Sequence, residues 1–402
     1  MIAMNNTVMV DVLIIGGGIA GLWALAEWRS RGYEAILVSD ELGKGQTIAS
    51  QGIIHGGTKY ALTGQMSNAT LAIGDMPRLW RNALKGDGAV NLAQAQILAE
   101  HQLLWTSAGI GSRLTGFFAS HAMKSRMVAL DKNHYPELFH TPQFKGALYQ
   151  LDEPVLDIPS VLASFQQYYA NYLIAVDSYE STLIEEQGKY QYLAALAQGG
   201  KVLIQAQQII ITAGAGNEAL VKPLFPKPVN KTHGLQQLRP LQMVLAKGDL
   251  PRIYAHALGM SDKPRITITS HPTLDGQVVW YMGGQPAELG VGKAPSQLIQ
   301  ETRQELQSLL PWFDLSQVQW ATWNVDRAEA AQASGARPDK PSVHTVGNVT
   351  VAWPTKLAFA PMLAHELIQQ LAPQLSARSK PFVKSASMQT PQVAKAVWEQ
   401  VF

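Results

Sequence analysis

DVLIIGGGIAG, residues 11–21, joins an unbroken apolar run to four glycines within six positions. The run VDVLII reads as a short buried strand, and LWALAEWRSRG after the glycines reads as a helix stopped at Gly32. EAILVSD supplies a second strand, so the chain opens with strand, turn, helix, strand, which implies parallel pairing through a crossover helix. Gly16, Gly18 and Gly21 have the G-x-G-x-x-G spacing. The first glycine permits the tight turn, the second lets backbone approach a pyrophosphate, and the third lets helix and strand pack closely. The helix start at Ile19 and Ala20 then offers free N–H groups and a positive dipole end to phosphate. An acid about twenty residues further on should hold the ribose hydroxyls. Ser39-Asp40-Glu41 falls there, with Asp40 as the candidate and Ser39 beside it. These features agree on a dinucleotide; the alternative is a glycine-rich turn with no ligand.

Composition narrows the field. The 402 residues suffice for two domains, and 47% apolar with 15% charged residues fits a compact, well-buried soluble protein. The formal charge of +2 is spread without a basic block, which argues against nucleic acid as a partner. With no cysteine, the chain has no disulfide, thiolate nucleophile, Cys-ligated cluster or cysteinyl-linked cofactor. No metal is expected: H-E-x-x-H is absent, and His134, His140 and His271 lack ligand spacing. Neither a basic leader nor an apolar run of ~18 residues is visible, so a cytoplasmic enzyme is expected, with peripheral contact to the membrane's inner face left open.

Further along, DIPSVLASFQQYYANYL (157–173) reads as a helix opened by Asp157, and YLAALA and KVLIQAQQIII as a hairpin across Gly199-Gly200. The second of these strands ends at Ala213-Gly214. VKPLFPKPVNKTHG (221–234) reads as a connector, and LRPLQMVLA, RITITSHP and QVVWYMGG as antiparallel strands. The pattern predicts an α/β fold with an α+β insert: a discontinuous Rossmann-like domain (1–90, 151–233 and 324–402) and a smaller, mostly antiparallel substrate domain (91–150 and 234–323).

The turn alone does not separate FAD from a nicotinamide dinucleotide. GKGQTIASQGIIHGGTKYAL (43–62), the later QQIIITAGAGNEAL and the last strand-to-helix stretch NVTVAWPTKLAFAP resemble the flavoproteins of the D-amino-acid oxidase superfamily. GIIHGGTKYAL is most similar to FAD-dependent glycerol-3-phosphate dehydrogenases and L-2-hydroxyglutarate oxidases. VVWYMGGQPAELG is similar to the superfamily's strand beside the substrate. The chain departs from the pattern at Ser39, where glutamate is usual, and at Lys59, where the glycerol-3-phosphate enzymes carry arginine.

The resemblance implies FAD as cofactor and a Rossmann-like FAD domain. It places Thr47, Gly52, His55, Gly56 and Gly57 near the flavin, with the glycines letting backbone pass close under the ring. Ala213 and Gly214 close over the cofactor. Thr355, Lys356 and Leu357, at the start of the last helix, face the reduced flavin. His55 is the candidate base or alcohol partner, because imidazole titrates near neutrality. The alternatives are a covalent histidyl–flavin link and a plain loop histidine. Arg327, Lys59, Arg337 and Arg239 are the cations for an anionic substrate, with Arg327 and Lys59 placed on the catalytic list. Tyr281 and Gln285 are further substrate contacts, or core.

The expected activity is oxidation of a small hydroxylated anion, glycerol 3-phosphate or a 2-hydroxy acid, by hydride transfer to the flavin. An amine or amino-acid oxidase of the glycine or D-amino-acid type is the alternative, and a flavin-binding subunit dependent on a partner is the alternative from another class. Oxygen, a quinone or a protein would each serve as electron acceptor.

Overall fold

The computed structural model describes residues 7–57, 73–107, 127–222, 224, 235–259, 264–376 and 379–402. The opening unit forms as read: β1 (Thr7–Ile15), α1 (Ile19–Ser30) and β2 (Ala35–Ser39). β1 lies parallel to β2 on one side and to Lys201–Ile211 on the other, with Ile15 level with both Val38 and Ile211. The two strand ends therefore stop at the same height.

Beyond β2 the seven-stranded sheet continues with Leu173–Glu186, and beyond Lys201–Ile211 with Val349–Trp353 and the antiparallel edge strand Ser342–Val346. The long strand Leu173–Glu186 turns back through Lys189–Leu196, which pairs with Lys201–Ile211 across Gly199 and Gly200, both at positive φ. All five residues of β2, and Val10 through Ile15 of β1, are buried. Strands covered on both faces have no polar face to show, which is why they read as continuous apolar runs. α1 is apolar on nearly every side and packs with Ala360–Leu371 and Ile158–Tyr169 in one cluster. Asp157 caps that last helix, accepting from the Ser160 N–H at 2.9 Å.

A second, eight-stranded sheet draws on two separated parts of the chain, 102–151 and 236–330. Its pairings are antiparallel except where Tyr254–Ala257 runs parallel to Gln102–Thr106. Helix Pro295–Leu309 covers one face with Leu298, Leu306 and Leu309. The fold is the expected pairing of a discontinuous Rossmann-like domain with a mostly antiparallel sheet.

One expected boundary is corrected. The division between 323 and 324 cuts the strand Gln319–Ala330, which stays paired to Gln236–Gly248 as far as Ala330 opposite Gln236. Arg327 therefore belongs to the second sheet. Most of the proline-rich connector, residues 223 and 225–234, lies outside the described residues. No helix among the described residues is long and apolar enough to cross a membrane.

Candidate active site

A cleft opens where the two sheets face each other. Ile19 lines it from the start of α1, and Gln46, Thr47, Ala49 through Ile53, His55 and Gly57 line it from the loop that follows β2. Glu153 lines it beside His55, Leu241, Met243, Val325, Arg327, Glu329 and Arg337 line it as well, and Pro354 through Ala358 close one side. The loop is pinned across the sheets. Gln51 Nε2 donates to the carbonyls of Tyr281 (2.8 Å) and Thr267 (3.2 Å), and the Tyr281 hydroxyl donates to the Ala49 carbonyl at 2.9 Å. Gln46 Oε1 accepts from the Ala328 N–H at 2.9 Å.

The phosphate end is tightly built. A Cβ on Gly16 would stand 2.7 Å from the Thr212 and Ala213 backbone, and one on Gly21 would stand 2.1 Å from the Gly16 carbonyl oxygen. Both glycines are required by close packing, the role expected of the third glycine in the turn. Gly16, Gly18, Ala20 and Gly21 do not line the cleft; they form the turn that holds Ile19 there. Ala213 and Gly214, half-buried, back onto that turn from the second strand end.

Three residues expected to touch the cofactor here are engaged within the protein. Thr47 Oγ1 accepts from the Ile19 N–H at 3.1 Å, so it caps α1 from outside the helix. The Ser39 hydroxyl accepts from the Gly17 N–H (3.0 Å) and donates to the Glu41 carbonyl (2.8 Å), which closes the turn. Asp40 accepts from Lys44 Nζ and from the Glu41 N–H, both at 2.8 Å. Burial works to raise the Asp40 pKa, but these two hydrogen bonds carry it below the ordinary carboxylate value. Neither Ser39 nor Asp40 lines the cleft.

At the other end His55 Nδ1 sits 3.1 Å from Glu153 Oε2, and Glu153 Oε1 accepts from the Gly56 N–H at 2.9 Å. The Glu153 side chain is 1% exposed. Burial works to raise its pKa, but the His55 contact, the field of His256 and the Gly56 N–H outweigh burial and hold it ionised. The His256 ring lies nearly parallel to that of His55, 5.9 Å away, and its Nδ1 is 2.7 Å from Thr267 Oγ1. Sequence reasoning missed Glu153 and His256. No spacing rule joins positions 55, 153 and 256, so only the fold brings them together.

The glycine-rich loop needs its small residues for a different reason from the one expected. Gly52 has φ of 72°, and a Cβ there would fall 2.1 Å from the Leu156 carbonyl oxygen. Residues 52–54 run against Pro154–Leu156, with Leu156 N–H donating to the Gly52 carbonyl and Ile54 N–H to the Pro154 carbonyl, each at 2.9 Å. Gly56 would crowd the Pro77 side chain at 3.2 Å. Packing against protein thus restricts Gly52 and Gly56. Gly52 lines the cleft as well, as does Gly57 at φ 84°.

Of the expected cations, Arg327 and Arg337 line the cleft and Arg239 does not. Arg239 Nη1 donates to both oxygens of Glu329 at 3.1 and 3.2 Å, so its charge is matched. Arg327 donates from Nε to the Arg239 carbonyl, and no ion pair to it is found among the described residues. Burial, then the neighbouring Arg239 and Arg337, pull its pKa down, partly countered by Glu329 and Glu288. Lys59 lies outside the described residues. Tyr281 is fully buried, its pKa driven upward by burial, and Gln285 starts a short helix away from the cleft; both readings as substrate contacts are corrected.

Thr355, Lys356 and Leu357 line the cleft, though the α-helix proper begins at Ala360 after a 3-10 turn over Leu357–Phe359. Thr355 has φ of 63°, an outlier for a β-branched residue and of the kind that gathers at ligand sites. Its Oγ1, like Ser50 Oγ, is buried without a hydrogen-bond partner. Such a group costs about 1–3 kcal/mol unless a ligand atom completes it. Two orphaned hydroxyls and the half-buried Arg327 suit a large polar cofactor.

Comparison with known proteins agrees. Residues 11–369 match the family model described as DAO, FAD dependent oxidoreductase. The chain is 43% identical over 403 residues to the probable FAD-dependent oxidoreductase PA4991 of Pseudomonas aeruginosa, covering 99% of this chain and 100% of that one. The crystal structure of PA4991 superposes with a TM-score of 0.81 over 99% of each chain. Glycine oxidase from Geobacillus kaustophilus shares the fold at a TM-score of 0.62 and 13% identity, over 96% of this chain and 100% of that one. L-alpha-glycerophosphate oxidase from Mycoplasma pneumoniae, with FAD bound, shares it at 0.58 and 15%, over 97% and 100%. With the turn and the cleft both inside the matched stretch, the chain belongs to the DAO family of FAD-dependent oxidoreductases.

Proposed function

We propose that this FAD-dependent enzyme oxidises a small hydroxylated anion, a 2-hydroxy acid or glycerol 3-phosphate, to the carbonyl compound. The observation that carries the reading is that His55, backed by the buried Glu153 carboxylate, and Arg327 line one cleft. Bound FAD supplies the hydride acceptor.

The remaining work falls to the chain. Turning C–H(OH) into C=O removes a hydride from carbon and a proton from oxygen. A hydroxyl proton is weakly acidic, so its departure needs a base in contact, and His55 is placed for it. Glu153 holds the His55 ring in one orientation and stabilises the imidazolium once the proton has moved. A neutral amine forms its C=N bond with its own lone pair and needs no base at that step. The His55–Glu153 pair thus serves the hydroxyl donor at the oxidation step itself, whereas with an amine its base would act earlier, on the incoming ammonium. Arg327 offers a forked donor set that suits carboxylate or phosphate and anchors the substrate by its charged end. Arg337 and Lys356 add positive charge along the same cleft.

The test is anaerobic mixing of the yellow holoprotein with 2-hydroxy acids, glycerol 3-phosphate, glycine and D-amino acids, following loss of flavin absorbance. Bleaching by a hydroxylated anion is expected. Bleaching by amines alone would assign the C–N reading, and bleaching by neither until a protein partner is added would favour the partner-dependent subunit.

A further inference from the structure

His55, Glu153 and His256 place their ligating atoms within 4.8 Å of one another, although they come from two loops and a strand. Glu153 and His256 are buried, at 1% and 4% exposure, whereas the His55 side chain is 31% exposed at the cleft. We propose that these three side chains form a Zn²⁺ site, and that Zn²⁺ held there inhibits the enzyme by occupying the atoms that His55 and Glu153 share.

The donor set decides the class of ion. Two imidazoles and one carboxylate suit Zn²⁺, while Mg²⁺ and Ca²⁺ favour oxygen ligands throughout. The spacing suits it as well. Two ligands about 2.0–2.1 Å from a tetrahedral Zn²⁺ stand roughly 3.3 Å apart, and His55 Nδ1 already lies 3.1 Å from Glu153 Oε2. That pair can exchange its hydrogen bond for the ion with little movement, and the three atoms, within 4.8 Å of one another, close in on it by rotation of their side chains.

Two of the ligands are also held from behind. Thr267 Oγ1 engages His256 Nδ1, and the Gly56 N–H engages Glu153 Oε1. Partners of this kind orient ligands and fix the imidazole tautomer. The single carboxylate offsets half the charge of the ion, and the exposed edge of His55 gives it a path from the cleft. Three protein ligands leave a position for water. Binding of the ion stands on geometry alone; only the inhibition rests on the proposed role of His55.

The holoprotein, stripped of metal but retaining FAD, would be titrated with zinc chloride by calorimetry. A crystal soaked in the same salt would be measured at the zinc absorption edge. One ion per chain is expected, with an anomalous peak among the three side chains. Glu153→Gln and His256→Gln should each weaken binding at least tenfold while keeping the flavin spectrum, and either variant suffices if the other fails to fold. With any donor that bleaches the flavin, zinc should slow reduction and magnesium chloride should not. Absence of binding, or binding undiminished in the variants, would overturn the site. Binding there with an unchanged reduction rate would overturn the inhibition and count against His55 as base, while the site itself would stand.

Discussion

The glycine turn is built in one short stretch and backed by one strand end: Gly17 meets Ser39, Ile19 meets Thr47, and Gly16 and Gly21 meet Thr212. The proposed reacting end takes His55 from one loop, Glu153 from another, Arg327 from the second sheet and Thr355 from the approach to the helix Ala360–Leu371. The first region meets its steric needs with glycines at fixed intervals in one short stretch. The second is an assembly of side chains from separate stretches, whose contacts span 88 to 98 positions. A cofactor shared by many chemistries is held by the turn, while the part that selects a donor is free to vary with the sheet that carries it.

The sharpest way to break the turn is Gly21→Val. Its Cβ would meet the Gly16 carbonyl oxygen at 2.1 Å and Thr212 Oγ1 at 2.7 Å. A cost at or above the upper end of overpacking, about 3 kcal/mol, is expected. It would be read as lost flavin content and a lowered melting temperature. A variant with normal FAD and normal melting would show that this contact does not matter.

At the reacting end the effects should fall on rate and binding instead. His55→Ala should slow flavin reduction by about 10²–10⁴-fold while FAD stays bound, as stopped-flow absorbance would record. Unchanged kinetics would remove His55 from the reaction. Arg327→Ala should weaken substrate binding by roughly 10–100-fold, the worth of one charged hydrogen-bonded contact, with a smaller change in the limiting rate. Arg327→Lys should recover only part of the loss, because the fork is gone.

Ser39→Ala sharpens the contrast at the smallest scale. It removes the acceptor of the Gly17 N–H, a loss of about 1 kcal/mol. FAD should dissociate several-fold more readily with reduction rates untouched; a change in rate without one in FAD affinity would blur the division between the two ends.

The same contrast explains what the sequence made legible. Strand, glycine turn, helix and second strand follow one another within a short stretch, so periodicity and spacing suffice to read them. The Asp157 cap and the Gly199-Gly200 hairpin are equally local. Glu153, in LDEPVLDIP, looks like any other loop acid until Gly52 to Ile54 is laid against Pro154 to Leu156. Gly52 was legible as a glycine that matters, but not why: its reason is the carbonyl of Leu156. Asp40 sits near the expected distance from the turn, yet Lys44, four residues on, claims its carboxylate. The strand Gln319–Ala330 carries no break in pattern near 323, and its pairing with Gln236–Gly248 places Arg327 on the substrate sheet.

The most direct test of a shared cleft is a crystal structure of the FAD-bound protein with an unreactive small hydroxylated carboxylate. The anionic group should rest on the Arg327 guanidinium, with the hydroxyl within hydrogen-bond reach of His55. A ligand that binds away from both residues, or that meets Arg327 while its hydroxyl faces away from His55, would contradict the account.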